Sequence, residues 1–358
     1  MKYSHVVTEV FRKPWAILPE KFSVISELVM LRASGGRLTE QDIRDRLLAA
    51  DMAAGPRGGQ QEFGTAAVIP VYGVIGRRAS LMSSFSGGTS VENLTKKFRA
   101  ALADPSVKAI VLDVDSPGGT VDGIDELATE IYNSRKKKKT IAVANGMAAS
   151  AAYWIASACN EVVVTPTGSI GSIGVFAAHE DLSKLYETMG VKVSLISAGK
   201  FKTEGNEYEP LTDEARAELQ SKVDAFYGMF VKAVARGRGA SQADVREGFG
   251  QGRMVLAWDG IKARMSDRVS TLDQTLERLG AAPGSSSGMS GAEHRDSPRA
   301  DDGGDGPLEE KDCMCACDAC QADDCMNCTN ENCVDPNCEH GPRAMSALDR
   351  RRRELDLH

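Results

Sequence analysis

Short apolar runs alternate with stretches whose apolar residues recur every three or four positions, from about residue 65 to residue 279. TAAVIPVYGVI at 65–75 and VKAIVLDV at 107–114 predict strands, as do residues 140–144, 161–165, 171–175 and 191–197. Residues 90–103 put Val91, Leu94, Phe98 and Leu102 on one helical face behind Ser90, a good cap. Further helices are predicted at 121–134, 151–159, 179–189 and 212–236. A strand-like VLAW and two short helices close this body. Strands alternating with helices imply βαβ units and a largely parallel sheet, an α/β fold.

Weaker patterns flank the body. Residues 1–64 read as a helical N-terminal arm and a Gly-rich linker, with the stretch 11–50 helical and Leu18, Phe22, Ile25, Leu28 and Val29 on one face. Thr39 is a candidate cap for a second short helix. The arm suggests packing against the body or a partner, and no chemistry. The body spans 65–281. Residues 282–312, rich in Gly, Ser, Pro and Asp, cannot bury a core and predict a flexible linker. Residues 313–358 form a Cys-rich tail, read as disordered unless a metal folds it, and a terminal charged helix.

Composition narrows the function classes. A chain of 358 residues has room for one large core with small appendages. A net charge of −7 argues against a nucleic-acid surface over the whole molecule. The basic run RKKKK at 135–139 sits at a predicted helix C-terminus, where cations complement the dipole. The first residues hold no uninterrupted apolar run, and nowhere is there a run of about 18 apolar residues. No secretion signal and no membrane span are expected, which points to a cytoplasmic protein. Of nine cysteines only Cys159 lies in the body.

Ser150 carries the strongest chemical signal. A short apolar strand and an Asn145-Gly146 turn come before it, and a small, apolar helix follows it. A serine at such a junction is held rigidly beside the first amides of a helix, which can stabilise an oxyanion. The plainer reading is a helix N-cap. A nucleophilic serine needs a base. His179 is the one histidine of the body and would give a Ser-His relay. Lys200 and Lys202 leave a predicted strand in the loop SAGKFKTEG, and a lysine serves as base once burial lowers its pKa. Lys202 lies deeper in that loop. Gly118 and Gly119 follow a buried strand, where paired glycines admit a substrate backbone or aim an amide at an oxyanion. An ordinary tight turn is the plainer reading there.

Taken together, DSPGG at 115–119, MAASAAYW around Ser150, TPTGSIGSIGV at 165–175 and GKFKTEG at 199–205 resemble the signal peptide peptidase A family of serine–lysine peptidases. The resemblance implies the Clp protease/crotonase-like fold of repeated ββα units. It implies Ser150 as nucleophile, Lys202 as general base and Ser172 orienting that lysine. Gly119 and Ala151 would supply the oxyanion amides. Gly118, Ala149 and Ala152 would line the substrate site. Ala151 and Ala152 stand where many members carry glycines, and their methyl groups would narrow the pocket. The reaction implied is peptide-bond cleavage through an acyl-enzyme, with no cofactor for catalysis.

The N-terminal stretch with KPWAI at 13–17 resembles the phage and prophage branch, the capsid-assembly or prohead proteases. That branch implies capsid scaffold and portal proteins as substrates, a homo-oligomer, and a location in host cytoplasm or inside the procapsid. Competing expectations are a signal-peptide-peptidase-like enzyme degrading peptides, an inactive scaffold with a peptidase fold, and a crotonase-type acyl-CoA enzyme. Nothing in the sequence supports nucleotide binding, and a thioester substrate would leave Lys202 without a task. In the tail, Cys317 with Cys320 and Cys325 with Cys328 form C-x2-C pairs, a spacing that suits structural zinc. The four residues between the pairs are fewer than in usual zinc ribbons.

Overall fold

The computed structural model describes residues 10–11, 13–33, 39, 42–43, 45–46, 61–63, 65–78 and 88–281. The 282–312 linker and the tail with its cysteine pairs lie outside the described residues. In chain order the elements are β1 (Trp15–Ile17), α1 (Pro19–Ala33), β2 (Gln61–Phe63), β3 (Ala66–Tyr72), β4 (Ile75–Gly76) and β5 (Thr89–Ser90). There follow α2 (Val91–Ala103), β6 (Ala109–Ser116), β7 (Gly118–Thr120), α3 (Ile124–Ser134), β8 (Lys139–Ala149), α4 (Ala151–Ser157), β9 (Glu161–Val164) and β10 (Ser169–Gly171). The last are α5 (Ser183–Thr188), α6 (Asp213–Arg238), α7 (Gln242–Gly248), β11 (Met254–Leu256), α8 (Ala257–Lys262), β12 (Arg268–Val269) and α9 (Leu272–Arg278).

The large sheet runs β11-β10-β8-β6-β3-β2, with β9 beside β8 and β12 beside β9. Its centre, β10, β8, β6 and β3, is parallel, as is the β8–β9 pair. Side chains alternate between the faces of a strand. Ile69, Val71, Ile110, Leu112, Ala142 and Ala144 join the main core, under α2, α3, α4 and α6. Val68, Val111, Ile141, Val143 and Val163 turn the other way and pack with Leu276 of α9. Both faces are buried, which is why these strands read as continuous apolar runs. A small sheet, β1-β7-β4-β5, lies at the end where β6 leads into β7.

The helix ends follow the expected chemistry. The Ser90 side chain caps α2 by accepting from the Asn93 amide, and Thr212 caps α6 through the Ala215 amide. Thr39 accepts from the Asp42 amide at 3.1 Å, as a cap should. The basic run is tied down where helices end. Arg135 donates to the carbonyls of Cys159 and Gly237, and Lys138 to those of Ala101 and Asp104.

Four expectations need correction. The 11–50 stretch is not helical throughout: β1 comes before α1. The strand expected at 171–175 lies earlier, as β10 at Ser169–Gly171, and residues 172–175 are no strand because the chain turns sharply at Ser172. β8 does not end in a turn at Asn145-Gly146 but continues to Ala149, with a register shift against β6. Its first part pairs with β9, and Met147 to Ala149 pair with β10. Residues 191–197 are no strand. They are exposed, and Ile196 is 98% accessible. An apolar run forms a strand only where a neighbouring strand offers its backbone groups, and none does here among the described residues.

α6 crosses α4 closely at Gly237. A Cβ there would lie 2.1 Å from the Ser157 carbonyl oxygen, backbone that cannot yield cheaply. Gly237→Ala is expected to destabilise the domain by about 1–3 kcal/mol, the usual range for overpacking. Urea melts of the two proteins would check this, and equal midpoints would show that the crossing is loose.

Candidate active site

The site begins where β8 stops. Ser150 has φ 53° and ψ −117°, a backbone that L-residues other than glycine rarely adopt. Two bonds hold it there. Its N–H donates to the Gly171 carbonyl at 2.7 Å, and its carbonyl accepts from the Trp154 N–H at 2.9 Å. The side chain makes no capping bond, so the N-cap reading fails. Its Oγ lies 3.4 Å from the Gly174 carbonyl oxygen instead, and the residue is 1% accessible.

α4 explains the rigidity. Each of its seven residues is buried. Trp154 stacks on Phe230 of α6 with centroids 4.5 Å apart, and the Tyr153 hydroxyl donates to the Met265 carbonyl. A helix wedged between sheet and α6 cannot shift to relax the turn before it.

Ser172 repeats the geometry. It follows β10 directly, is buried, has φ 52°, and its N–H donates to the Arg253 carbonyl at 2.9 Å. The Gly171 carbonyl that receives the Ser150 N–H belongs to the peptide joining Gly171 to Ser172. The two serines therefore sit on adjoining turns.

The glycine pair completes the cluster. Gly118 has φ +98°, and the place its Cβ would take is 3.0 Å from Ser150 Cβ and 3.1 Å from the Ala149 carbonyl oxygen. A Cβ on Gly119 would fall 1.8 Å from the Ile75 carbonyl oxygen. Both glycines are thus required by close backbone approach. Ala148, Ala149, Ala151 and Ala152 are fully buried, so the surroundings of Ser150 are apolar.

Gly118, Gly119, Ala149, Ser150, Ala151, Ala152 and Ser172 therefore come together. Lys202 and His179 do not join them. Lys202 is exposed, and its side chain makes no hydrogen bond or ion pair among the described residues, which therefore do not provide the expected dry surroundings. Lys200 pairs with Glu214 at 2.9 Å. The His179 ring lies against the Asn206 carbonyl, with Nε2 3.0 Å from its oxygen. Cys159 is fully buried away from this cluster, and burial pushes its thiol up to about 12, so it stays protonated. The sequence reading missed Gly174, Phe176 and the strand β1, which pairs with β7. KPWAI was visible as a motif, but three apolar residues are too few to declare a strand.

A buried serine strained at a strand–helix turn, beside paired glycines and backbone amides, is an arrangement suited to a nucleophile in acyl transfer. Residues 133–284 match the model of Peptidase family S49. The match includes Ser150, Ser172 and Lys202 but not β1 or β7. The chain is similar to the "Head-tail preconnector protein GP5" of Enterobacteria phage P21, with 35% identity over 60% of this chain and 43% of that protein. It is also similar to the "Capsid assembly protease C" of Escherichia phage lambda, with 37% identity over 58% of this chain and 48% of that one. "Protease 4" of Salmonella typhi matches at 30% identity over 58% of this chain and 32% of that protein. The chain thus spans about half the length of the phage relatives. Among solved structures, a ClpP1 mutant from Listeria monocytogenes overlaps 58% of this chain and 94% of its own, at 13% identity and a TM-score of 0.37. No helix among the described residues is long and apolar enough to cross a membrane.

The strain at Ser150 can be measured apart from activity. Glycine tolerates this backbone and alanine does not, so Ser150→Gly is expected to melt above Ser150→Ala by about 1–2 kcal/mol. If the alanine variant is as stable as the glycine one, the turn stores no strain.

Proposed function

We propose that the chain is a serine endopeptidase with a Ser150–Lys202 dyad, acting in phage capsid maturation on scaffold and portal proteins. The observation that carries this reading is Ser150 itself: buried, strained, capping nothing, and within the residues that match the Peptidase family S49 model. Likeness to a phage capsid assembly protease supports the assignment of substrates. In this mechanism neutral Lys202 takes the Ser150 hydroxyl proton as Oγ attacks a peptide carbonyl. The amides of Gly119 and Ala151 hold the oxyanion. The protonated lysine gives its proton to the leaving amine, then activates the water that releases the acyl group. Ser172 orients the lysine. Gly118, Ala149 and Ala152 line the substrate site.

The dyad requires Lys202 to leave water. Val191, Val193, Leu195, Ile196 and Phe201, the approach to that lysine, are all exposed. Contiguous apolar surface of this kind marks an interface. A second copy covering the run would bury it and take Lys202 out of water, which favours the neutral amine that a base requires. The active form is therefore a homo-oligomer. It acts in host cytoplasm or within the procapsid, and the reaction needs no metal.

Intact mass followed over time, with a capsid scaffold or portal protein co-expressed as substrate, tests the dyad. Cleavage by the wild type, lost by at least a thousandfold in Ser150→Ala and in Lys202→Ala, is the expected result. Loss in His179→Ala with retained fold would move the base to His179. Intact chains in every variant, wild type included, would favour the reading as an inactive assembly scaffold. Breakdown of short peptides while scaffold and portal stay whole would favour a peptide-degrading enzyme.

The cysteine tail, outside the described residues, is proposed as a separate zinc module held by thiolates of Cys317, Cys320, Cys325 and Cys328. Metal analysis of the purified chain should find about one zinc per chain, lost when Cys317 and Cys320 are replaced by serine; a metal-free chain would end this assignment.

A further inference from the structure

β1 has both of its edges occupied at the site. On one side it runs antiparallel to β7, with Trp15 opposite Thr120, Ala16 opposite Gly119 and Ile17 opposite Gly118. On the other side Trp15 and Phe176 exchange both backbone bonds, at 2.8 and 3.0 Å. The next residue, Leu18, donates its N–H to the Pro117 carbonyl at 3.0 Å. Along such a strand successive residues turn their N–H and C=O to alternate edges. Trp15 uses its pair on Phe176 and Leu18 faces Pro117, so Ala16 turns its own pair to Gly119.

That places residue 16 at the reacting centre. The Ala16 carbonyl oxygen lies 2.3 Å, and Ser150 Cβ 3.0 Å, from one point, the place a Cβ on Gly118 would occupy. Ala16 thus faces the amide assigned to the oxyanion, beside the assigned nucleophile. An extended peptide adds to a sheet edge as a further antiparallel strand, its backbone bonds giving affinity. A substrate could not take the β7 edge here while β1 holds it.

The arm is anchored next to the site and apart from most of the core. Phe11, Trp15, Ile17, Phe22, Ile25, Leu28 and Val29 form their own cluster, with Val74, Phe176 and Ala178 packed against it. Phe22 meets Phe176 edge-on at 5.2 Å and Trp15 at 5.6 Å. Only Ala16 of β1 belongs to the main core cluster. Trp15, Ile17 and the buried face of α1 therefore pack in a cluster separate from the main core.

We infer that residues 15–17 are an internal occupant of the substrate's strand site, and that the N-terminal arm keeps the peptidase latent until it is displaced. This rests on the peptidase reading for its purpose, though not for its test. The occupant is this chain's own segment, and the partner that displaces it is a protein offering an extended strand.

The test reads binding without turnover, in the full chain carrying Ser150→Ala. The probe is a fluorescein-labelled synthetic peptide of residues 10–24. A tethered strand competes at high effective concentration and excludes it. Ala16→Pro removes the N–H aimed at Gly119 and breaks the β1 pairing. Fluorescence anisotropy is expected to give at least tenfold tighter binding to the Ser150→Ala, Ala16→Pro chain than to Ser150→Ala alone. Phe22→Ala, which loosens the anchor while leaving every residue of β1 in place, should act in the same direction and stands in if the proline variant misfolds by circular dichroism. Equal affinity for the parent and for a folded released variant, or no binding to either, overturns the latch. With Ser150 intact, Ala16→Pro should also cleave scaffold at least tenfold faster than wild type. Peptide binding on release with no cleavage of any protein would sink the peptidase reading and leave the strand site standing. Cleavage at the wild-type rate would sink the latch alone.

Discussion

The structure depends on one constraint: β8 must serve two neighbours and then stop dead at Ser150. Its first part pairs with β9 and its last residues with β10, so the strand shifts register against β6 on the way. The bond from the Ser150 N–H to the Gly171 carbonyl fastens the end of β8 to the end of β10. α4 cannot retreat, because all of it is buried between sheet and α6. The positive φ at Ser150 is what remains when both sides are fixed. The main-chain strain is held by surroundings that over-determine it, as at many reactive residues. The paired glycines follow from the same crowding, since each sits where two backbones approach too closely for a side chain.

How much of this was legible in the sequence depends on whether an element carries its own partner. β3, β6 and β8 were readable because both faces are buried, which writes long apolar runs. α2 was readable from its cap, Ser90, and from the spacing of its buried face. The helix after Ser150 was readable because its residues are apolar or small, as burial of every one of them requires. The 191–197 run was not, because its apolar pattern promises a strand without saying which chain supplies the neighbour. β1 was hidden for the opposite reason. It is three residues long, and Leu18, Phe22 and Ile25 beyond it repeat at helical spacing, so the helix pattern absorbed it. The register of Ala16 on Gly119 is a property of the fold alone.

The choice between cap and nucleophile at Ser150 shows what a structure adds. Sequence leaves both open, because either places a serine before a helix. The backbone separates them. A capping serine sits in extended conformation with its oxygen on an amide one turn ahead, as Ser90, Thr212, Ser241 and Thr271 do here. Ser150 does neither. Four hydroxyl residues of one chain thus act as internal controls for the fifth.

The latch and the exposed lysine segment also meet at one residue. Phe176 takes both backbone bonds of Trp15 and the edge of Phe22, and Ala178 packs in the same cluster. The chain continues from there through His179 and α5 to the exposed run and Lys202. While the arm is seated, it ties the strand of the glycine pair to the root of the segment that bears the proposed base. Lifting the arm would vacate the β7 edge and free Phe176 in one movement. A substrate strand that replaced β1 would have to rebuild both sets of bonds, one to β7 and one to Phe176. Latency, strand capture and delivery of the base would then be linked through the same few backbone groups.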